Sequence, residues 1–171
     1  MTAYIALLRA VNVGGTGKLP MTELKRMCEA AGFADVRTYI ASGNVVFRSS
    51  AKEAAVKAAL EKALAAYAGK RVEVLVRSAT EMAAVLAANP YPEAPGNRVV
   101  AIFLDDAPPD ALGISGQRDE RIDLGVREIY VHYGDGMADS KLKIRAAATG
   151  TARNMNTVGK LAEMARELDR A

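Results

Sequence analysis

The sequence predicts an α+β fold, and three observations carry the prediction. Two apolar runs without alternation, AYIALL (3–8) and VVAIFL (99–104), read as strands covered on both faces. Stretches with apolar residues at helical spacing, several of them closed by glycine, separate these strands from pairs of short β-rich segments. The resulting order, β-α-β-β-α-β, occurs twice, and it is the order of the ferredoxin-like split unit. The expectation is two ferredoxin-like halves with antiparallel sheets, plus a linker helix and a C-terminal helix.

Each element has a local reason. After the first strand, Pro20 suits a helix start because its missing N–H costs nothing there. Leu24, Met27, Cys28 and Ala31 then recur at helical spacing until Gly32. Segments 36–41 and 44–49, rich in Val, Ile, Tyr and Phe, flank Ser42-Gly43-Asn44, whose small residues tolerate the positive φ of a tight hairpin. Ser50 to Glu53 has the S-x-x-E spacing of a capping box ahead of a helix striped by Val56, Leu60 and Leu64 and ended by Gly69. RVEVLVR (71–77) reads as the fourth strand of the unit, and Ser78 to Glu81 is a second capping box, opening a helix that reaches Asn89.

The stretch NPYPEAPGN holds three of the six prolines, which favour an extended connection. The expected division is therefore 1–89, a linker at 90–97, and 98–171. In the second part APPDALG (107–113) is expected as a short helix, 121–124 and 128–133 as a hairpin about Gly125, and ADSKLKIRAAA (138–148) as a helix. TGTARN supplies a last strand, and a final helix from about Thr157 carries Val158, Leu161, Met164, Ala165 and Leu168 on its apolar stripe.

Composition narrows the function classes. With 171 residues, half of them hydrophobic, the chain can bury a substantial core. Twenty-three basic residues are interleaved with 20 acidic ones, so the net charge of +3 marks no basic face of the kind nucleic acid requires. No apolar run has the length of a membrane span and the N-terminus lacks the pattern of a signal peptide, so a cytoplasmic location is expected. The lone Cys28 and the lone His132 exclude a disulfide framework, a multi-histidine metal site and a triad not built on His132. No metal site and no cofactor is expected. RNA recognition by base stacking is disfavoured, since aromatic residues make up 5% of the chain and the third strand offers Phe47 alone.

The candidate chemistry sits in VNVGGTGKLP. Its spacing fails the P-loop, because Leu19 follows Lys18 where Ser or Thr must bind magnesium, and fails the dinucleotide pattern, because Pro20 stands where the last glycine belongs. Free N–H groups near a helix start, with Arg9 and Lys18 close by, leave either an anion site or a connection that needs glycine for backbone reasons. Asn44 in a turn is ordinary turn chemistry, and Asn154 or Asn156 suits the N-cap of the last helix. The cluster Arg153, Asn154, Asn156, Thr157 and Lys160 nevertheless holds more donors than capping needs.

Two long segments, YIALLRAVNVGGTGKLPMTELKRMCEAAGFADVRTYIASGNVVF and SKLKIRAAATGTARNMNTVGKLAEMA, resemble a bacterial family, domain-of-unknown-function family 1697. The resemblance implies paired ferredoxin-like halves and no assigned biochemistry. Its pattern marks Arg9, Asn12, Gly14, Gly15, Lys18 and Pro20, then Ser42, Gly43 and Asn44, then Ser140, Lys141 and Leu142, and finally Thr151, Arg153, Asn154, Asn156 and Thr157. This chain has Met155 where the family usually has Trp, which would weaken stacking on a planar ligand, and Ala10 where Gly is commoner.

The expectation drawn from these residues is a site for an anionic small molecule, with Arg9, Asn12 and Lys18 joined by Arg153, Asn154 and Asn156, and with Gly14, Gly15, Ser42, Asn44, Lys141 and Thr157 contributing. A nucleic-acid-binding module and a self-associating structural protein stand as the alternatives, and the chain is expected as a monomer or a homodimer.

Overall fold

A computed structural model describes residues 1–10, 18–134 and 137–170. They form ten strands and four α-helices, and the strand pairings are antiparallel throughout, which is an α+β architecture. The chain divides into two units, Met1–Met82 with Leu161–Ala171, and Ala83–Lys160. No helix among the described residues is long and apolar enough to cross a membrane.

The first unit runs β1 (Thr2–Leu8), α1 (Met21–Ala30), β2 (Ala34–Thr38), β3 (Asn44–Ser49), α2 (Glu53–Ala68) and β4 (Val74–Ser78), with sheet order β2-β3-β1-β4. β1 is central, and its residues 3–8 are buried on both faces, as its unbroken apolar run predicts. Tyr4, Ala6 and Leu8 of β1, Val45 and Phe47 of β3, and Val74 and Val76 of β4 share one core with Leu24, Met27 and Cys28 of α1 and Val56, Leu60 and Leu64 of α2. Full burial of a leucine such as Leu24 or Leu60 contributes roughly 2 kcal/mol. Phe33 stacks on Phe47 with ring centroids 4.3 Å apart.

Three local expectations are corrected here. Ser50 does not cap α2: the helix begins at Glu53 after Lys52, with no side-chain cap, and it is Ser49 Oγ that accepts the Ala51 N–H at 3.0 Å. Pairing of Ser49 with Thr2 prolongs β3, so residues 50–52 are used to turn the chain. β2 spans Ala34–Thr38 rather than 36–41: a register shift between Ala34 and Arg37 marks its start, Ile40 at φ 48° ends the extended backbone, and the connection occupies 39–43. β4 starts at Val74 rather than residue 71. The other capping box forms as its spacing predicts: Ser78 N–H donates to Glu81 Oε1 at 2.9 Å, and Glu81 N–H to Ser78 Oγ at 3.1 Å. That box opens α3 (Ala79–Ala87), which the division between the units crosses.

β4 is an edge strand, and side chains of α2 cover its outer backbone. Glu61 accepts the Val74 N–H at 3.0 Å, while the Lys57 ammonium donates to the Val74 carbonyl and pairs with Glu61 at 3.0 Å.

The second unit contains β5 (Val99–Phe103), β6 (Ile114–Ser115), β7 (Arg121–Leu124), β8 (Glu128–His132), β9 (Lys143–Ile144) and β10 (Thr151–Asn154). Its four-stranded sheet has order β10-β5-β8-β7, and β6 pairs with β9 as a ribbon. Counted within each unit, both sheets run fourth-first-third-second, so the strand order repeats while the helices do not. The helices expected at 107–113 and 138–148 are not formed. Pro108 and Pro109 remove N–H donors from the first, and the second becomes β9 followed by a 3-10 turn at Arg145–Ala147. Leu112, Leu142, Ile144, Ala146 and Ala147 pack on Val100, Ile102, Ile129 and Val131, covering the sheet face that helices would have covered. Helix α4 (Met155–Asp169) begins two residues before the expected start, with Val158, Leu161, Met164, Ala165 and Leu168 all buried.

Candidate functional site

Antiparallel pairing on both sides of β1 brings three chain segments together at its C-terminal end. The Leu8 N–H donates to the Gly43 carbonyl at 2.9 Å, which places the turn before β3 beside the exit of β1. The Arg9 N–H donates to the Glu73 carbonyl at 2.9 Å, which does the same for the entry to β4. Ala10, at φ 55°, breaks the extended backbone after β1. A cavity of about 220 Å³ opens here, lined by Arg9, Ala10, Lys70, Arg71, Val72 and Glu73.

The charge in this cavity is three cations against one carboxylate. Arg9 Nη1 lies 3.8 Å from Glu73 Oε2 and Arg71 Nε lies 3.8 Å from Glu73 Oε1. Both contacts are long and partly solvated, so each holds its partners weakly, and a ligand carboxylate or phosphate can compete with Glu73 for the guanidinium groups. Lys18 is exposed, next to Leu19, which is anchored in the core. Asn12, Gly14 and Gly15 lie outside the described residues. Ser42 and Asn44 hold the turn: Asn44 is fully buried and its Nδ2 donates to the Tyr39 carbonyl at 3.0 Å and to Ser42 Oγ at 2.9 Å.

In the second unit, the remaining candidates have local partners. Arg153 is buried on β10, donating to Thr151 Oγ1 at 2.7 Å and to the Ala152 carbonyl at 2.9 Å, and burial brings its pKa down to about 10. Asn154 caps α4, its Oδ1 accepting the Thr157 N–H at 3.0 Å, and Thr157 is buried. Asn156 Oδ1 occupies the space a side chain on Gly96 would need, 2.1 Å from where its Cβ would stand. Lys141 is exposed while its carbonyl approaches Gly116 just as closely, and Ser140 Oγ donates to Glu120 Oε2 at 2.5 Å. The Arg118 N–H and the Ser140 hydroxyl hold the Glu120 carboxyl below the usual carboxylate range. His132 is half-buried, as its alternation in β8 predicts. Its ring lies 5.2 Å from that of Tyr91, whose hydroxyl donates to Asp123 at 2.5 Å.

A family model described as "Protein of unknown function (DUF1697)" matches residues 1–130. The chain belongs to this family. Among solved structures, the conserved bacterial protein SP0830 from Streptococcus pneumoniae is similar at 24% identity and a TM-score of 0.77, over 97% of this chain and 99% of that one, which is a likeness of fold. No curated protein matches the chain.

Within this DUF1697 chain, much of the family pattern named above has a structural task. The Ser42–Asn44 turn, the Ser140 clasp and the Asn154 cap each satisfy backbone groups. Met155, at the position where the family usually has Trp, is 5% exposed, so this position faces the interior rather than a ligand. Arg9 lines the cavity, with its guanidinium 3.8 Å from the Glu73 carboxylate. Lys70, Arg71 and Glu73 were not anticipated as site residues. The available signal was the Gly69-Lys70-Arg71 run after a helix, which becomes informative once β4 is paired with β1.

Proposed function

We propose that this DUF1697 protein binds a small anionic molecule, a phosphate or carboxylate compound, at the C-terminal end of β1. The observation that supports the reading is that Arg9, Lys70 and Arg71 line one open cavity at the end of β1 with Glu73, whose carboxylate lies 3.8 Å from each guanidinium. Arg9 and Arg71 supply planar N–H donors suited to an oxyanion, and Lys70 adds charge without fixed geometry. Glu73 orients the two arginines in the absence of ligand and disfavours a second anionic group beside it. The assignment is one of binding, with no reaction attached.

A thermal-shift screen against inorganic phosphate, nucleotides, sugar phosphates and small carboxylic acids tests it. A ligand at a hundredfold excess over its dissociation constant stabilises the folded chain by about 2.7 kcal/mol, read as a melting-point rise of several degrees. Arg9→Ala with Arg71→Ala should abolish that rise while leaving the ligand-free melting point nearly unchanged. No shift with any compound, or a shift indifferent to both substitutions, overturns the reading.

A further inference from the structure

β7 forms an outer edge of the second unit's sheet, and its register on β8 determines which backbone groups that edge presents. The Gly125 N–H donates to the Glu128 carbonyl at 2.8 Å. Antiparallel pairs alternate between hydrogen-bonded and non-bonded, so Asp123 with Tyr130 and Arg121 with His132 are the pairs that exchange bonds with β8. The N–H and C=O groups of Ile122 and Leu124 therefore face outward.

Both edges of the first unit's sheet are guarded. Lys57 and Glu61 cover β4, and the register shift and positive φ at Asp35 break up β2. β7, with the sequence Arg-Ile-Asp-Leu, has no proline or bulge; it is short and carries two charges, Arg121 and Asp123, which repel unmatched partners and admit only one that pairs them with opposite charge. It also leads into Leu124, 52% exposed, and Val126, 82% exposed.

We propose that a second copy of this chain docks on this edge, β7 against β7, about a two-fold axis at Ile122. Only outward-facing residues can pair with outward-facing residues, which leaves two central two-fold registers. An axis at Asp123 would oppose the two Asp123 carboxylates across a non-bonded pair, where side chains are closest. An axis at Ile122 instead sets Arg121 of each copy opposite Asp123 of the other, giving two equivalent ion pairs, and brings the two Ile122 backbones into mutual hydrogen bonding. The Tyr91 hydroxyl already orients each Asp123 carboxylate. A four-residue strand pair is a small contact, of the kind found in weak, reversible association.

Sedimentation velocity on the full chain, from low micromolar to near-millimolar concentration, should show the mass rising from 18.1 kDa toward twice that value. Ile122→Pro removes an N–H that β8 does not use, so it should hold the chain at the monomer mass, while loss of the isoleucine packing on the second unit's core lowers the melting point without unfolding the chain at room temperature. Arg121→Asp should abolish association as well, and adding Asp123→Arg to it should restore the dimer to within a few fold. A parent chain that stays monomeric at the highest concentration, a folded Ile122→Pro chain that still dimerises, or a charge swap that fails to restore association overturns the proposal.

Discussion

Asn44→Ala should cost the fold roughly 2–3 kcal/mol, from two lost bonds at about 1 kcal/mol each plus the desolvation left uncompensated. Asn44 is fully buried at the start of β3, and its two Nδ2 hydrogens go to the Tyr39 carbonyl at 3.0 Å and Ser42 Oγ at 2.9 Å. Alanine removes both donors, leaves that carbonyl short of one, and loosens a turn that already holds Ile40 at φ 48°. Equilibrium unfolding in urea should show the midpoint falling with an unchanged slope, the sign of altered stability rather than altered compactness. At this chain length the melting point should drop by roughly 5–10 °C. Asn44→Asp should be worse than alanine, since a carboxylate would face the Tyr39 carbonyl with no proton to offer. A loss below about 0.5 kcal/mol for the alanine variant would refute the turn-holding role, and would return Asn44 to the ligand site that the sequence pattern suggested.

Two further predictions concern backbone strain and alkaline pH. Ala10 sits at φ 55°, where an L-residue is penalised by roughly 1–2 kcal/mol and glycine is not, so Ala10→Gly should raise stability by up to about 1 kcal/mol after the glycine's larger unfolded-state entropy is counted. A lower urea midpoint would contradict this. Burial, with a smaller contribution from Glu29, pushes the Cys28 thiol up to about 12 from its ordinary 9.0. The unfolded chain thus releases this proton first, and the stability conferred by the neutral thiol is complete below about pH 9 and lost as pH rises toward about 12. Tyr91 and Tyr130, both raised to about 12, act in the same direction. The urea midpoint should accordingly fall on the alkaline side, and iodoacetamide should label Cys28 only in denaturant. Prompt labelling of the native chain would show the thiol to be accessible.

The sequence by itself determined whatever depends on near neighbours along the chain. Unbroken apolar runs specified β1 and β5, Ser78 and Glu81 lie one helical turn apart and cap each other, and Gly69 ends α2 in the left-handed conformation, while an asparagine cap for α4 was legible but the choice of Asn154 over Asn156 was not. Tertiary structure decided the outcome where a local signal competed with a distant partner. Ser50 lost its cap because the helix starts only at Glu53, after Ser49 Oγ has taken the Ala51 N–H, and residues 138–148 lost their helix because Leu142 and Ile144 cover the second sheet. The candidate site divides in the same way. Arg9 is legible as a cation beside a glycine-rich loop, whereas Lys70, Arg71 and Glu73 join it only through the β1–β4 pairing, which sets them beside a residue some sixty positions earlier. Helical spacing and capping act over one or two turns and can be read directly. Strand pairing acts over any separation, and its choice among competing edges is settled by the burial of the whole sheet rather than by the residues of one strand.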